Sequence, residues 1–264
     1  MKFIRPADIA RSVGIRIAIC QLVISGSTGL NLSSIEGIVL QNRADLYVFP
    51  ELSLTGYSAD AEYSEDIAVA LDRLRLICNE RDAAVVLGAP MPAKHGTADA
   101  LLFITGTRTI RYDKLYPANF GIYTEQYTPG LRPVMVEFRG LKIGLEVCYD
   151  LFFPEISRYY ARNGADLIIC AAASAEPSFD YVRRMLPARA LENTVYFLYC
   201  NSVGDCGGIR FFGCSGLYSP LGEEIELLRT DESIRMTYVD QAVVANARKK
   251  RPQLRDVRDD FGWS

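Results

Sequence analysis

Leu141-Lys142-Ile143-Gly144-Leu145-Glu146-Val147-Cys148 is an apolar-rich run that reads as a strand and ends on a thiol. It pairs with Val134–Phe138 across Arg139-Gly140, a turn that makes the two a hairpin. Downstream, Pro154 is a good first helical position and Asn163-Gly164 a good C-terminal cap, so a helix is expected between them. Leu167–Ala171 then resumes as a strand. The same order occurs earlier in the chain. Strand Ile15–Leu22 leads to a helix over Ser33–Asn42, then Ala44-Asp45-Leu46 opens a strand over Asp45–Pro50, just as Ala165-Asp166-Leu167 opens the later one. Strands that are apolar almost throughout are expected to be covered on both faces. The fold class expected from this β-α-β echo is α/β.

The remaining elements fit between these two units. Ile67, Leu71, Leu74, Ile77 and Cys78 recur at helical spacing within Ala61–Arg81, which marks an amphipathic helix. Ala84–Ala89 reads as a strand, and Leu101–Thr105 with Thr109–Asp113 as a hairpin around Gly106-Thr107. Later come a helix over Tyr181–Asn193, strands over Val195–Asn201, Gly213–Ser219 and Ser233–Val239, and a last helix over Gln241–Lys250. With 264 residues, 49% of them hydrophobic, one large domain over 1–264 is expected, residues 1–13 being an N-terminal extension and 251–264 a C-terminal tail.

Composition removes several classes of function. A net charge of −3 lacks the footprint of a nucleic-acid binder, and the basic run Arg248-Lys249-Lys250-Arg251 is soon followed by Asp256, Asp259 and Asp260. No Gly-x-Gly-x-x-Gly or Gly-x-x-x-x-Gly-Lys-Ser/Thr fingerprint is present, which argues against binding of a dinucleotide or a nucleotide phosphate. No apolar stretch is long enough to span a membrane, and Met1–Arg11 carries Pro6 and Asp8 where a signal peptide needs an apolar core. A cytoplasmic protein is expected. The seven cysteines form no Cys-x-x-Cys pair, and His95 is the only histidine, so no familiar zinc spacing exists and no metal is expected. Cys206 and Cys214 remain open as a disulfide pair.

Three stretches carry chemistry. Cys148 ends its strand just before Tyr149-Asp150, a strand-to-helix corner of the kind that exposes a nucleophile. Glu51 follows Val48-Phe49-Pro50 and opens Leu52-Ser53-Leu54-Thr55-Gly56-Tyr57; desolvation there is expected to raise its pKa and suit it to take a proton from a thiol. Lys114 ends the strand Thr109–Asp113 before Leu115-Tyr116-Pro117, where an ammonium can favour a thiolate and stabilise an oxyanion. Taken alone, each has an ordinary structural explanation: a buried cysteine, a capping glutamate, a lysine paired with Asp113. Together they form a base, a cation and a nucleophile for attack on a carbonyl or nitrile carbon, with neither metal nor histidine.

These motifs resemble the nitrilase superfamily of carbon–nitrogen hydrolases, whose Glu-Lys-Cys triad matches Glu51, Lys114 and Cys148 in order and spacing. The likeness continues through Asn119-Phe120-Gly121-Ile122-Tyr123-Thr124-Glu125, Phe153-Pro154-Glu155, Arg158, Ala188-Arg189-Ala190-Leu191-Glu192-Asn193, Phe212-Gly213-Cys214-Ser215 and Ser219-Pro220-Leu221-Gly222. It implies a four-layer α-β-β-α sandwich, no cofactor, and a homodimer or higher homo-oligomer whose chains pair through helices near the site. The helix after Cys148 is one such helix, and its Ile156, Tyr159 and Tyr160 form an apolar cluster available for a partner or for the core. It also implies that Glu125 supports Lys114 or the hydrolytic water, and that the Tyr149 backbone N–H joins Lys114 in holding the oxyanion. Tyr57, Phe120, Phe152, Arg183 and Arg184 are candidates for the substrate pocket, either arginine gripping a substrate carboxylate or lying on a solvated helix face.

Cys148-Tyr149-Asp150 looks like the amidase branches, because nitrilases proper typically carry Trp-Glu after the cysteine. The expected substrate is a small amide, hydrolysed through a thioester on Cys148, with nitriles and N-carbamoyl amino acids as alternatives. A non-catalytic scaffold with a redox-sensitive thiol is the reading from another class.

Overall fold

The computed structural model describes residues 14–258. The expectations for Met1–Arg11, Asp259 and Asp260 lie outside the described residues. In chain order the elements are β1 (Gly14–Gln21), α1 (Thr28–Gln41), β2 (Leu46–Val48), α2 (Glu65–Arg81), β3 (Ala84–Pro92), β4 (Thr97–Ile104), β5 (Thr109–Asp113), β6 (Asn119–Phe120), β7 (Tyr123–Thr124), β8 (Met135–Phe138), β9 (Leu141–Val147), α3 (Pro154–Arg162), β10 (Leu167–Ala172), α4 (Phe179–Asn193), β11 (Tyr196–Asn201), β12 (Val203–Cys206), β13 (Ile209–Phe212), β14 (Gly216–Tyr218), β15 (Glu224–Leu227), β16 (Ser233–Asp240) and α5 (Gln241–Lys250).

Successive side chains of a strand point to opposite faces, and here both faces are apolar. Ile15, Ile17, Ile19, Leu46, Val48, Ala84 and Val86 share one cluster with Ile143, Leu145, Val147, Leu167, Ile169, Leu198 and Cys200. The intervening Ala18, Cys20, Tyr47, Val85 and Leu87 pack instead on Ile35, Ile38, Ile67, Leu74 and Ile77 of α1 and α2. On the other side Ile168, Cys170, Ala172, Phe197 and Tyr199 pack on Ile156, Tyr160, Val182, Leu186 and Ala190 of α3 and α4. Two sheets therefore meet face to face with helices outside each, the four-layer α-β-β-α sandwich.

The sheets have the same plan. The first runs β16-β1-β2-β3-β4-β5 and the second β15-β14-β11-β10-β9-β8. In each, three parallel strands (β1, β2, β3 or β9, β10, β11) are flanked by one antiparallel strand on one side and two on the other. The echo read in the sequence is this repeated plan, with β16 brought back from the far end of the chain to close the first sheet.

Several boundaries differ from expectation for local reasons. The first helix starts at Thr28, earlier than Ser33, because the Ser27 side chain accepts from the Leu30 N–H and caps it. The second starts at Glu65, not Ala61, whose N–H is taken by the Tyr127 hydroxyl at 3.2 Å. Two short hairpins, β6–β7 and β12–β13, went unread because two- to four-residue strands carry almost no periodicity. Of the apolar cluster expected on the helix after Cys148, Ile156 and Tyr160 are buried in the chain's own core and Tyr159 alone is exposed. All seven cysteines are free thiols, so Cys206 and Cys214 are not bridged.

Candidate active site

Glu51 follows β2 across Phe49-Pro50, in a turn where Leu52 adopts a φ of +48°. The turn is held by the N–H of Gly56 on the Leu52 carbonyl at 2.9 Å and the N–H of Gly88 on the Pro50 carbonyl at 3.2 Å. Gly88 must lack a side chain, because a Cβ there would lie 2.1 Å from the Leu52 nitrogen. Lys114 leaves β5 with its N–H on the Asp99 carbonyl at 2.9 Å. Its side chain is wholly buried, which an ammonium tolerates only when it is surrounded by acceptors. Those acceptors are Glu51 Oε1 at 2.6 Å and both oxygens of Glu125 at 2.8 Å. Glu125 follows β7 and also accepts from the Ala118 N–H at 2.7 Å and the Tyr57 hydroxyl at 3.2 Å.

Cys148 begins a tight 3₁₀ turn, Cys148–Phe152, with a φ of +45°. That left-handed backbone is costly for a residue with a side chain and persists only when its surroundings enforce it. Asp150 does so. Its carboxylate accepts from the Val147 N–H at 3.1 Å, the Tyr116 N–H at 3.0 Å and the Tyr112 hydroxyl at 2.6 Å. Behind the turn, Arg189 Nε donates to the Leu151 carbonyl at 2.9 Å and ion-pairs with Glu192, while Arg158 donates to the Glu192 carbonyl. These three family-matched residues brace helices rather than face the site.

The two halves of the site meet after β10. The Ala173 N–H donates to Glu51 Oε2 at 2.6 Å, and the next residue, Ser174, lies with its hydroxyl 3.4 Å from Cys148 Sγ. Ser174 is itself held by Asn201, whose side chain accepts its N–H and donates to its carbonyl. Ser174 and Asp99 were not read from the sequence. Each breaks an otherwise apolar run, Ala171-Ala172-Ala173-Ser174 and Ala98-Asp99-Ala100-Leu101, and that interruption is the signal that was available.

The charges correct two expectations. Burial works to raise the Glu51 carboxyl, but the Lys114 ammonium and the hydrogen bonds it receives outweigh this and leave it below its ordinary value. Glu51 is a carboxylate, not the raised acid that desolvation alone predicts. Burial and the Glu51 charge together lift the Cys148 thiol well above its usual range, against the pull of Lys114. At rest Cys148 is therefore a thiol. Lys114 stays an ammonium, since Glu51 and Glu125 overcome the effect of burial. Glu51, Asp99 and Glu125 are a set of buried carboxyls that can hold a cation among the described residues, and the Lys114 ammonium is already in contact with all three.

A cavity of about 360 Å³ is lined by Tyr149, the residue after Cys148, with Phe120, Ile122, Tyr123, Phe152, Pro177, Ser178 and Tyr181. Tyr149 anchors its wall, 4.8 Å from the Phe120 ring and 5.7 Å from that of Phe152. Tyr57 is not in this lining; it lies beneath Glu125. Arg183 lines a separate hollow with Phe212, Cys214 and Tyr218, and Arg184 is exposed, so neither arginine lines the cavity walled by Tyr149.

Among the described residues no helix is long and apolar enough to cross a membrane. Residues 16–249 match the carbon-nitrogen hydrolase family model. An (R)-stereoselective amidase of Pseudomonas sp. is 29% identical, over 88% of this chain and 87% of its own. A nitrilase of Pyrococcus abyssi is 32% identical, over 83% of each chain. The crystal structure of an amidase from Nesterenkonia sp. superposes with a TM-score of 0.77 at 28% identity, over 93% of this chain and 97% of the other. With the sandwich and the Glu51, Lys114 and Cys148 cluster in place, the match over nearly its whole length means that the chain belongs to the carbon-nitrogen hydrolase family, in the amidase-type branch of the nitrilase superfamily.

Proposed function

We propose that this hydrolase cleaves small amides with compact, largely apolar acyl groups, through a thioester on Cys148. The observation that carries the reading is the fixed ammonium. Lys114 is clamped between Glu51 and Glu125, and Cys148 is tied to the same cluster through Ala173-Ser174. Glu51, ionised in the resting state, takes the Cys148 proton as sulfur attacks the amide carbon. The developing oxyanion is stabilised by the charge of Lys114, whose hydrogens stay on the two glutamates, and by the Tyr149 N–H, which sits in the first turn after the nucleophile, where N–H groups lack intrahelical partners. Glu51 returns the proton to the departing ammonia or amine. Water, deprotonated by a glutamate, then cleaves the thioester to a carboxylic acid and restores the thiol.

The aromatic lining of the cavity, with no arginine or lysine in it, supports an apolar acyl group over an ω-amide bearing a carboxylate. A nitrile or an N-carbamoyl amino acid is the alternative, and the Pyrococcus abyssi relative keeps the nitrile in view. Specificity constants for matched apolar amides, ω-amides, N-carbamoyl amino acids and nitriles test this; apolar amides are expected to lead, and a nitrile in front would overturn it. Intact-mass analysis should find the acyl adduct on Cys148, and Cys148→Ala, Glu51→Gln and Lys114→Ala should each lower turnover by roughly 10³-fold or more, as groups that act as a unit do. A cytoplasmic homodimer or higher homo-oligomer, paired on the side of exposed Tyr159, belongs to the same reading, and light scattering at no less than twice the 29.4 kDa chain mass is its check.

A further inference from the structure

We propose that Asp99 is a positioning residue of this site: it carries a proton in the resting enzyme and donates a hydrogen bond to Glu51, which orients that base toward the Cys148 thiol. The inference rests on the acyl-transfer reading above for its functional part, but its structural part stands on a count of donors.

Three carboxyls surround one ammonium, with oxygens of Glu51, Asp99 and Glu125 lying within 4.8 Å of one another. An ammonium has three hydrogens to donate. Those of Lys114 go to Glu51 at 2.6 Å and to the two oxygens of Glu125 at 2.8 Å. Asp99 Oδ2 is 3.5 Å from the same nitrogen, too distant to share it. Glu51 has a second donor in the Ala173 N–H, and Glu125 has the Ala118 N–H and the Tyr57 hydroxyl. Asp99 has none: both of its oxygens are buried without a hydrogen-bond partner. Tyr127, whose hydroxyl could have served it, donates to the Ser58 carbonyl at 2.6 Å instead.

Three ionised carboxylates would leave two net negative charges in a volume closed to water. The cheapest relief is one proton, placed on the carboxyl that receives no donor. Burial and the neighbouring Glu51 charge act in that direction, pushing Asp99 well above the ordinary carboxyl range. Once protonated, Asp99 is no longer an orphan acceptor but a donor beside Glu51. A hydrogen bond to the charged form of Glu51 keeps it ionised and limits its rotation away from the thiol.

The test has two parts. Infrared difference spectra of wild type against Asp99→Asn at neutral pH should show loss of a protonated-carboxyl C=O band; no such loss would overturn the proposal. This reading needs no turnover, so it is independent of whether the amide assignment holds. The second part is the pH profile of kcat/KM on a small amide. Asp99→Asn, which keeps a donor, should leave the acid limb in place and remove the loss of activity at alkaline pH. Asp99→Ala, which removes the donor, should move the acid limb to higher pH by about one unit as Glu51 becomes easier to protonate. Identical shifts in both variants would reduce Asp99 to packing and sink the idea. Should Asp99→Ala fail to fold, the infrared comparison and the Asp99→Asn profile decide.

Discussion

Glu146, two residues before Cys148 on β9, is fully buried, with one oxygen accepting from the Ser157 hydroxyl at 2.6 Å and the other unpartnered. Burial pushes its carboxyl up to about 8. The folded protein thus holds a proton that the unfolded chain, with a glutamate near its ordinary 4.5, has already lost at neutral pH. Stability from this group is complete below the unfolded value and declines as pH rises toward about 8. Glu146→Gln cannot titrate, so its melting temperature should fall less between pH 5 and pH 8 than that of wild type. Parallel curves would show that Glu146 titrates alike in both states. At this scale the sequence was uneven. Glu51 and Cys148 are legible because each ends an apolar run, where a polar side chain has little structural purpose, and Lys114 because it closes a strand in the one order and spacing that supplies a cation to both. Asp99 and Ser174 acquire meaning only from residues that are distant in sequence, Lys114 for one and Cys148 for the other.

The strands of the two inner layers are legible as apolar runs because both of their faces are covered. The short hairpins are not, since β6–β7 and β12–β13 owe their pairing to neighbours rather than to pattern. What the elements chiefly supply is placement of turns, and the turn carrying Glu51 lies directly on β3. Gly88→Ala would drive a methyl into the backbone of Glu51-Leu52, whose nearest atom is 2.1 Å away. Overpacking of this kind costs about 1–3 kcal/mol. Displacing the carboxylate by even an ångström costs on the order of 100-fold in rate. Gly88→Ala should therefore lose more activity than stability, and calorimetry alongside steady-state kinetics measures both. A variant that melts early yet turns over normally would contradict the view that β3 seats the base.

Viewed whole, the two sheets share one core, in which Ile17 and Val48 of one lie in the same cluster as Leu145 and Ile169 of the other. We infer from this that the chain unfolds as one domain, and a single calorimetric transition whose van't Hoff and calorimetric enthalpies agree is the expected result. The repeated β-α-β order was visible in the sequence. The destination of the last strand was not, because nothing local in Ser233–Asp240 says which sheet it joins. It pairs with β1 along eight residues, from Gly14 opposite Asp240 to Gln21 opposite Ser233. On the ribosome this arrangement has a cost in time. The first strand emerges with a bare edge, and its neighbour on that side is made roughly 200 residues later, on the order of ten seconds or more at ordinary rates of synthesis. An unpaired apolar edge is a template for other chains. Nascent chains stalled before Ser233 should thus depend on chaperones and stay open to protease, whereas those stalled with β16 clear of the exit tunnel should become resistant; a strand made late decides when one made early is safe.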